Sequence, residues 1–108
     1  MDPKYLIVFV TAPTMEDGRK IAHILVGQKL AACVNILPGV TSIYTWEAEI
    51  CDDQEVLLII KTRADLFDAL SATVSKEHPY DLPEVIALPL TAGYPDYLNW
   101  IDEVTRQA

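Results

Sequence analysis

Basic residues are scarce in this chain. Over 108 residues, eight Lys and Arg stand against sixteen Asp and Glu, for a net charge of −8. Nucleic acids and anionic membranes are held by basic patches, so neither is expected as a partner. Long apolar runs are also missing: no segment reaches the roughly 18 residues of a membrane-spanning helix. The opening MDPKYLIVFV has no basic start and no small-residue cleavage site, and reads as a first strand, so a cytoplasmic location is expected. Cysteine is limited to Cys33 and Cys51, which form no metal-binding or redox spacing. Cys33, among Ala32, Val34 and Ile36, reads as an inert core thiol. Cys51, in the polar stretch ICDDQE, reads as a free thiol in an exposed turn, with no disulfide in a reducing compartment. The four glycines form no phosphate-cradling loop, and Gly93 in TAGYP is a lone turn glycine. Ser42, Ser71 and Ser75 lack a nucleophile elbow. No carboxylate pair is visibly held in apolar surroundings, as acid–base catalysis requires. An enzyme is not expected, and no cofactor is required.

Apolar residues, by contrast, are abundant. They make up 51% of the chain against 22% charged residues, so apolar surface should be left over for a subunit contact. A chain of this length forms one domain, 1–108, that buries roughly 65% of its unfolded surface. Tyr5 to Thr11 is a continuous apolar run, the mark of a strand buried on both faces. Thr14 offers an N-cap with Asp17 three residues on, and Ile21, Ile24 and Leu25 follow at helical spacing, predicting a helix over 15–29. Ala31 to Glu47, AACVNILPGVTSIYTWE, reads as one long strand broken in its middle. Pro38 cannot donate to a sheet ladder and Gly39 tolerates unusual backbone angles, so the pair belongs at a bulge. A polar turn over 48–53 and a returning strand over 54–61 complete a hairpin. Its far end carries Ile43, Tyr44 and Trp46, and a projecting ribbon of that kind needs another chain to cover it.

Thr62 is expected to cap a second helix that ends near His78, because Pro79 disfavours helix in the residue before it. Pro83 and Pro89 confine a short strand over 83–90 to a sheet edge. Pro95 and Asp96 suit the first turn of a last helix, whose apolar face holds Tyr97, Trp100, Ile101 and Val104. The order is β-α-β-β-α-β plus a C-terminal helix, the split βαβ pattern of ferredoxin-like α+β domains. Right-handed crossovers put both main helices on one face of the sheet, with the first and third strands central. The open face then needs cover, and a closed ring of copies supplies it most simply.

These segments, with VFVTAP, VLLIIKTR, HPYDLPEVIALPL and YLNWI, resemble the CutA family of divalent-cation tolerance proteins nearly end to end. The resemblance implies a homotrimer of ferredoxin-like subunits, similar in architecture to the PII signalling proteins, with the protruding hairpins bridging neighbours. Ile43, Tyr44, Trp46 and Trp100 then become candidate trimer-interface residues, the large aromatics serving as anchors. It also implies a role in divalent metal ion tolerance, with copper or another divalent cation as the candidate ligand and no catalysis.

Copper-binding members carry a thiol near the end of strand one and paired histidines before the Pro-Tyr. Here those positions hold Val10 and the pair Glu77–His78, and Thr73 replaces a further thiol on helix two. His78 and Glu77 are thus the candidate metal ligands. In the competing reading His78 closes the last turn of its helix, donating to a helix carbonyl. Members also keep a charged cluster in the cleft between subunits, placing Lys61, Arg63, Glu55, Tyr80 and Glu84 in a candidate ligand cleft. That cleft would serve a PII-like small-ligand sensor or a protein scaffold. Alternatively, Lys61 and Arg63 pair with Glu84 or Glu55 across a subunit boundary. Asn35 is expected to satisfy a buried backbone group at the strand bend.

Overall fold

A computed structural model describes residues 2–108. In chain order it contains β1 (Tyr5–Ala12), α1 (Met15–Gly27), β2 (Cys33–Trp46), β3 (Glu49–Arg63), a 3-10 turn (Ala64–Leu66), α2 (Phe67–Glu77), β4 (Val85–Pro89) and α3 (Pro95–Val104). The four strands form one antiparallel sheet in the order β2-β3-β1-β4. β1 and β3 are central, as the crossover rule predicts. β4 pairs with β1 alone and forms an edge, where Pro89 is tolerated.

Helix α1 starts as its sequence dictates. The Thr14 hydroxyl accepts the Asp17 amide at 3.0 Å and donates to the Asp17 carboxylate at 2.9 Å. Glu16 and Asp17 face the positive end of the helix. Ile21 and Leu25 are buried against the sheet. Gly18 permits that approach: a Cβ there would stand 3.0 Å from a Val56 methyl. The helix ends at Gly27, two residues short of the expected end, and Lys29 adopts φ 59° beyond it.

The hairpin turns earlier, and more tightly, than the sequence suggests. Leu37 to Val40 is a bulge with Gly39 at φ 76°, as Pro38-Gly39 predicts. The chain reverses at Glu47 and Ala48, both at positive φ (49° and 66°), with Trp46 paired to Glu49. The polar stretch 49–53 is therefore strand, not turn, and Cys51 is a half-buried partner of Tyr44. A ribbon that leaves the body meets water on both faces, so polar residues there do not signal a loop.

The second helix also begins differently. Thr62 is the last but one residue of β3, fully buried, and donates to the Leu30 carbonyl at 2.6 Å. The 3-10 turn follows, and α2 opens at Phe67 without a side-chain cap.

The core lies between the sheet and helices α1 and α2. Val8, Val10 and Ala12 of β1 and Leu58 and Ile60 of β3 meet Ile21, Leu25, Leu70 and Val74, nearly all at zero exposure. The opposite sheet face differs. Ile7, Phe9, Leu57 and Ile59 are only half-buried. Ile86 and Leu88, opposite Phe9 and Ile7, stay 55% and 57% exposed. α3 covers one end of this face, anchored by buried Ile101 and by the Tyr5 hydroxyl, which donates to Asp102 at 2.7 Å. Trp100 and Tyr97 of that helix remain over a third exposed.

Candidate functional site

The far half of the hairpin and the loop after α2 enclose a cleft of about 720 Å³. Tyr44 and Trp46 of β2, Glu55 of β3 and Tyr80, Leu82 and Glu84 of the loop line it. The register explains the placement. Tyr44 pairs with Cys51, which sets its hydroxyl diagonally across the ribbon to the Asp53 carboxylate, 2.5 Å away. Glu55 sits where the ribbon joins the body and is more than nine-tenths buried. Among the described residues, its only side-chain donor is the Tyr80 hydroxyl, at 3.2 Å.

His78 fixes the loop. It is the residue after α2, and its own amide donates to the Val74 carbonyl. Its ring is buried. Nδ1 accepts the Tyr80 amide at 3.0 Å, so the proton resides on Nε2, which donates to the Thr11 carbonyl at 2.7 Å. The ring also packs on Tyr80, with centroids 4.9 Å apart. The expected donation to a helix carbonyl is thus replaced by donation to β1. As folded, both ring nitrogens of His78 are engaged in hydrogen bonds within the chain. Glu77 instead approaches Lys20 at 4.0 Å. Among the described residues, no three His, Cys, Asp or Glu side chains come together as a metal site.

Within one chain the five cleft candidates separate into two groups. Glu55, Tyr80 and Glu84 share the cleft. Lys61 and Arg63 lie six and eight residues further along β3, roughly 20 and 26 Å away. Lys61 donates to the Asn35 side chain, so Asn35 serves a neighbouring side chain and not a backbone group. Arg63 is buried, bidentate to Asp65 at 2.9 and 3.0 Å, and donates to Thr105 at 3.1 Å. It holds α3 to the sheet. The register also divides the ribbon residues: Tyr44 and Trp46 alternate with Ile43, which is 69% exposed and shares its face with Ile50 at 79%. Asp53 also belongs to this cluster; its polar sequence reads as turn, and only the strand register brings it to Tyr44.

The cleft is electrostatically one-sided. Burial, then the neighbouring Glu55 charge, raise the Glu84 carboxyl above its ordinary value of 4.5. Burial, with Glu55 beside it, pushes the Tyr80 phenol up to about 12. The hydrogen bond to Asp53 raises Tyr44 as well. Because the Glu84 pKa is higher in the folded chain than in the unfolded one, its stabilising share is complete below the ordinary carboxylate range. It is lost as pH rises through the raised value. Glu84→Gln should therefore raise the melting temperature by about 2 °C at neutral pH. The gain should vanish near the ordinary pKa of 4.5, which paired thermal scans will check.

Residues 6–104 match the family described as the CutA1 divalent ion tolerance protein. The chain belongs to this family. It is 52% identical over 101 residues to the chloroplastic protein CutA of Arabidopsis thaliana, covering 94% of this chain and 56% of that protein. It is 48% identical over 99 residues to the divalent-cation tolerance protein CutA of Thermus thermophilus, covering 92% and 96%. The chain spans just over half the length of the plant relatives it matches. Among solved structures, CutA1 from Oryza sativa superposes with a TM-score of 0.95 at 48% identity, covering 98% of this chain and 97% of that one. A CutA from Archaeoglobus fulgidus, described as periplasmic, gives 0.90 at 38% identity, covering 93% and 97%. CutA-named relatives thus include chloroplastic and periplasmic proteins, so the family does not impose the cytoplasmic location expected from the sequence. No helix among the described residues is long and apolar enough to cross a membrane. The positions compared with copper-binding members hold no ligand here: Val10 is buried in the core, and Thr73 donates to the Ala69 carbonyl of its own helix.

Proposed function

We propose that this CutA-family chain acts as a non-catalytic homotrimer in divalent metal ion tolerance, meeting cations weakly through its acidic surface. Family membership supports the tolerance role. The observation that carries the assembly is the uncovered sheet face, where Ile86 and Leu88 stand more than half exposed beside half-buried Ile7 and Phe9. A monomer rarely leaves so continuous an apolar patch in water. A ring of three copies closes it without leaving an edge. The cation is copper or zinc, taken by surface carboxylates and not by a thiol–imidazole site, since His78 is engaged within the fold.

Sedimentation velocity should give a single species of three chains at micromolar concentration. Calorimetry with copper and zinc should show weak binding that depends on salt. A monomer at that concentration rejects the assembly, and no heat at millimolar metal rejects the cation role.

A second reading is supported by the cleft of about 720 Å³, within the range of small-ligand pockets. In it, the protein is a PII-like sensor or scaffold whose cleft, around Glu55, Tyr80 and Glu84, takes a small molecule. A thermal-shift screen separates this reading from the first.

A further inference from the structure

The cleft between the ribbon and the loop after α2 has a specific chemical character. Its walls hold three aromatic rings, Tyr44, Trp46 and Tyr80, with Leu82 beside them. Its polar groups are the carboxylates of Glu55, Asp81 and Glu84, and the hydroxyls of Thr11, Ser42 and Thr45. Among the described residues, no Lys, Arg or His lines it. Glu55 is more than nine-tenths buried, yet among the described residues its only side-chain partner is a neutral phenol. A buried carboxylate without a cation is costly, so the geometry leaves room for one.

We propose that this cleft binds a compact organic cation, an alkylammonium or alkylguanidinium head held between Glu55 and Glu84 against the rings of Tyr44, Trp46 and Tyr80. Three features select this class. Anions, including nucleotides and organic acids, meet only carboxylates here and are repelled. Divalent metal ions need several ligands gathered on one point, and among the described residues no three His, Cys, Asp or Glu side chains come together in that way. Both phenols keep their protons well above neutral pH, so they offer faces and not phenolate oxygens. Neutral aromatic faces attract organic cations, most strongly where the contact is desolvated. The net charge of −8 steers such ligands inward.

This inference rests on the second reading above and specifies its ligand class. The test is calorimetric titration of the full chain, at low salt, with butylammonium and butylguanidinium chloride. Butanol and zinc chloride serve as comparison ligands. Both organic cations should saturate one site per chain, and butanol should not. Glu84→Gln, on an exposed loop, should weaken binding about tenfold. Trp46→Leu should weaken it by a similar factor, while Glu103→Gln, on exposed α3 surface, should change nothing. Sedimentation of the same variants separates lost binding from lost assembly. Three results overturn the proposal: no saturable binding of either cation, equal binding of butanol, or zinc binding tighter than both and abolished by Glu84→Gln.

Discussion

Ile86→Asp should dissociate the proposed trimer while leaving each subunit folded. Ile86 is 55% exposed in the single chain, paired opposite Phe9 on the sheet face away from the helices, so the monomer loses little. In the assembly it would place an unpaired carboxylate in a dry apolar contact, at about 3 kcal/mol or more per subunit. Three symmetric copies multiply that penalty, because every interface carries it. Sedimentation velocity should show one-chain species at concentrations where the parent chain is a trimer. Far-UV circular dichroism should be unchanged. An intact trimer would show that the sheet face around Phe9 and Ile86 is not the contact.

His78→Ala should destabilise the protein by about 2–4 kcal/mol in the complete absence of metal. The substitution leaves the Tyr80 amide and the Thr11 carbonyl without partners at a buried site, each costing about 1–3 kcal/mol. It also opens a cavity beneath Tyr80. Urea unfolding in a chelator checks this directly. A histidine that served only as a metal ligand would behave otherwise: its removal would be nearly neutral without metal and harmful only with it. An unchanged midpoint would return His78 to the list of free ligands. Because the ring anchors the loop bearing Tyr80 and Glu84, the variant should also loosen the cleft.

The division of roles at His78 and Lys61 shows where reading the chain stops. The Glu77–His78–Pro79–Tyr80 segment announces a polar group at a helix end, and a ligand and a latch use the same residue types there. Only the approach of β1 reveals the Thr11 carbonyl, contributed by a residue 67 positions away. Lys61 and Glu55 are close in sequence and both belong to β3, yet an extended strand carries them to opposite ends of the sheet. The cleft is legible in part: the sequence points to Glu55, Tyr80 and Glu84, but it presents Tyr44 and Trp46 as a subunit contact alone. The missing step was the turn. Polarity over 49–53 suggested a loop, whereas two residues at positive φ, neither of them Gly or Asn, close the hairpin at Glu47–Ala48.

Hydrophobic periodicity, the Thr14 cap and the Pro38-Gly39 pair determine the elements and their order, because these signals act between residues near one another in the chain. Strand topology follows as well, since the handedness of crossovers leaves few alternatives. Which polar groups meet is decided only in three dimensions. Hydrogen bonds and charges act over a few ångströms, and the partners of His78, Glu55 and Arg63 are brought within that range by sheet register and helix docking.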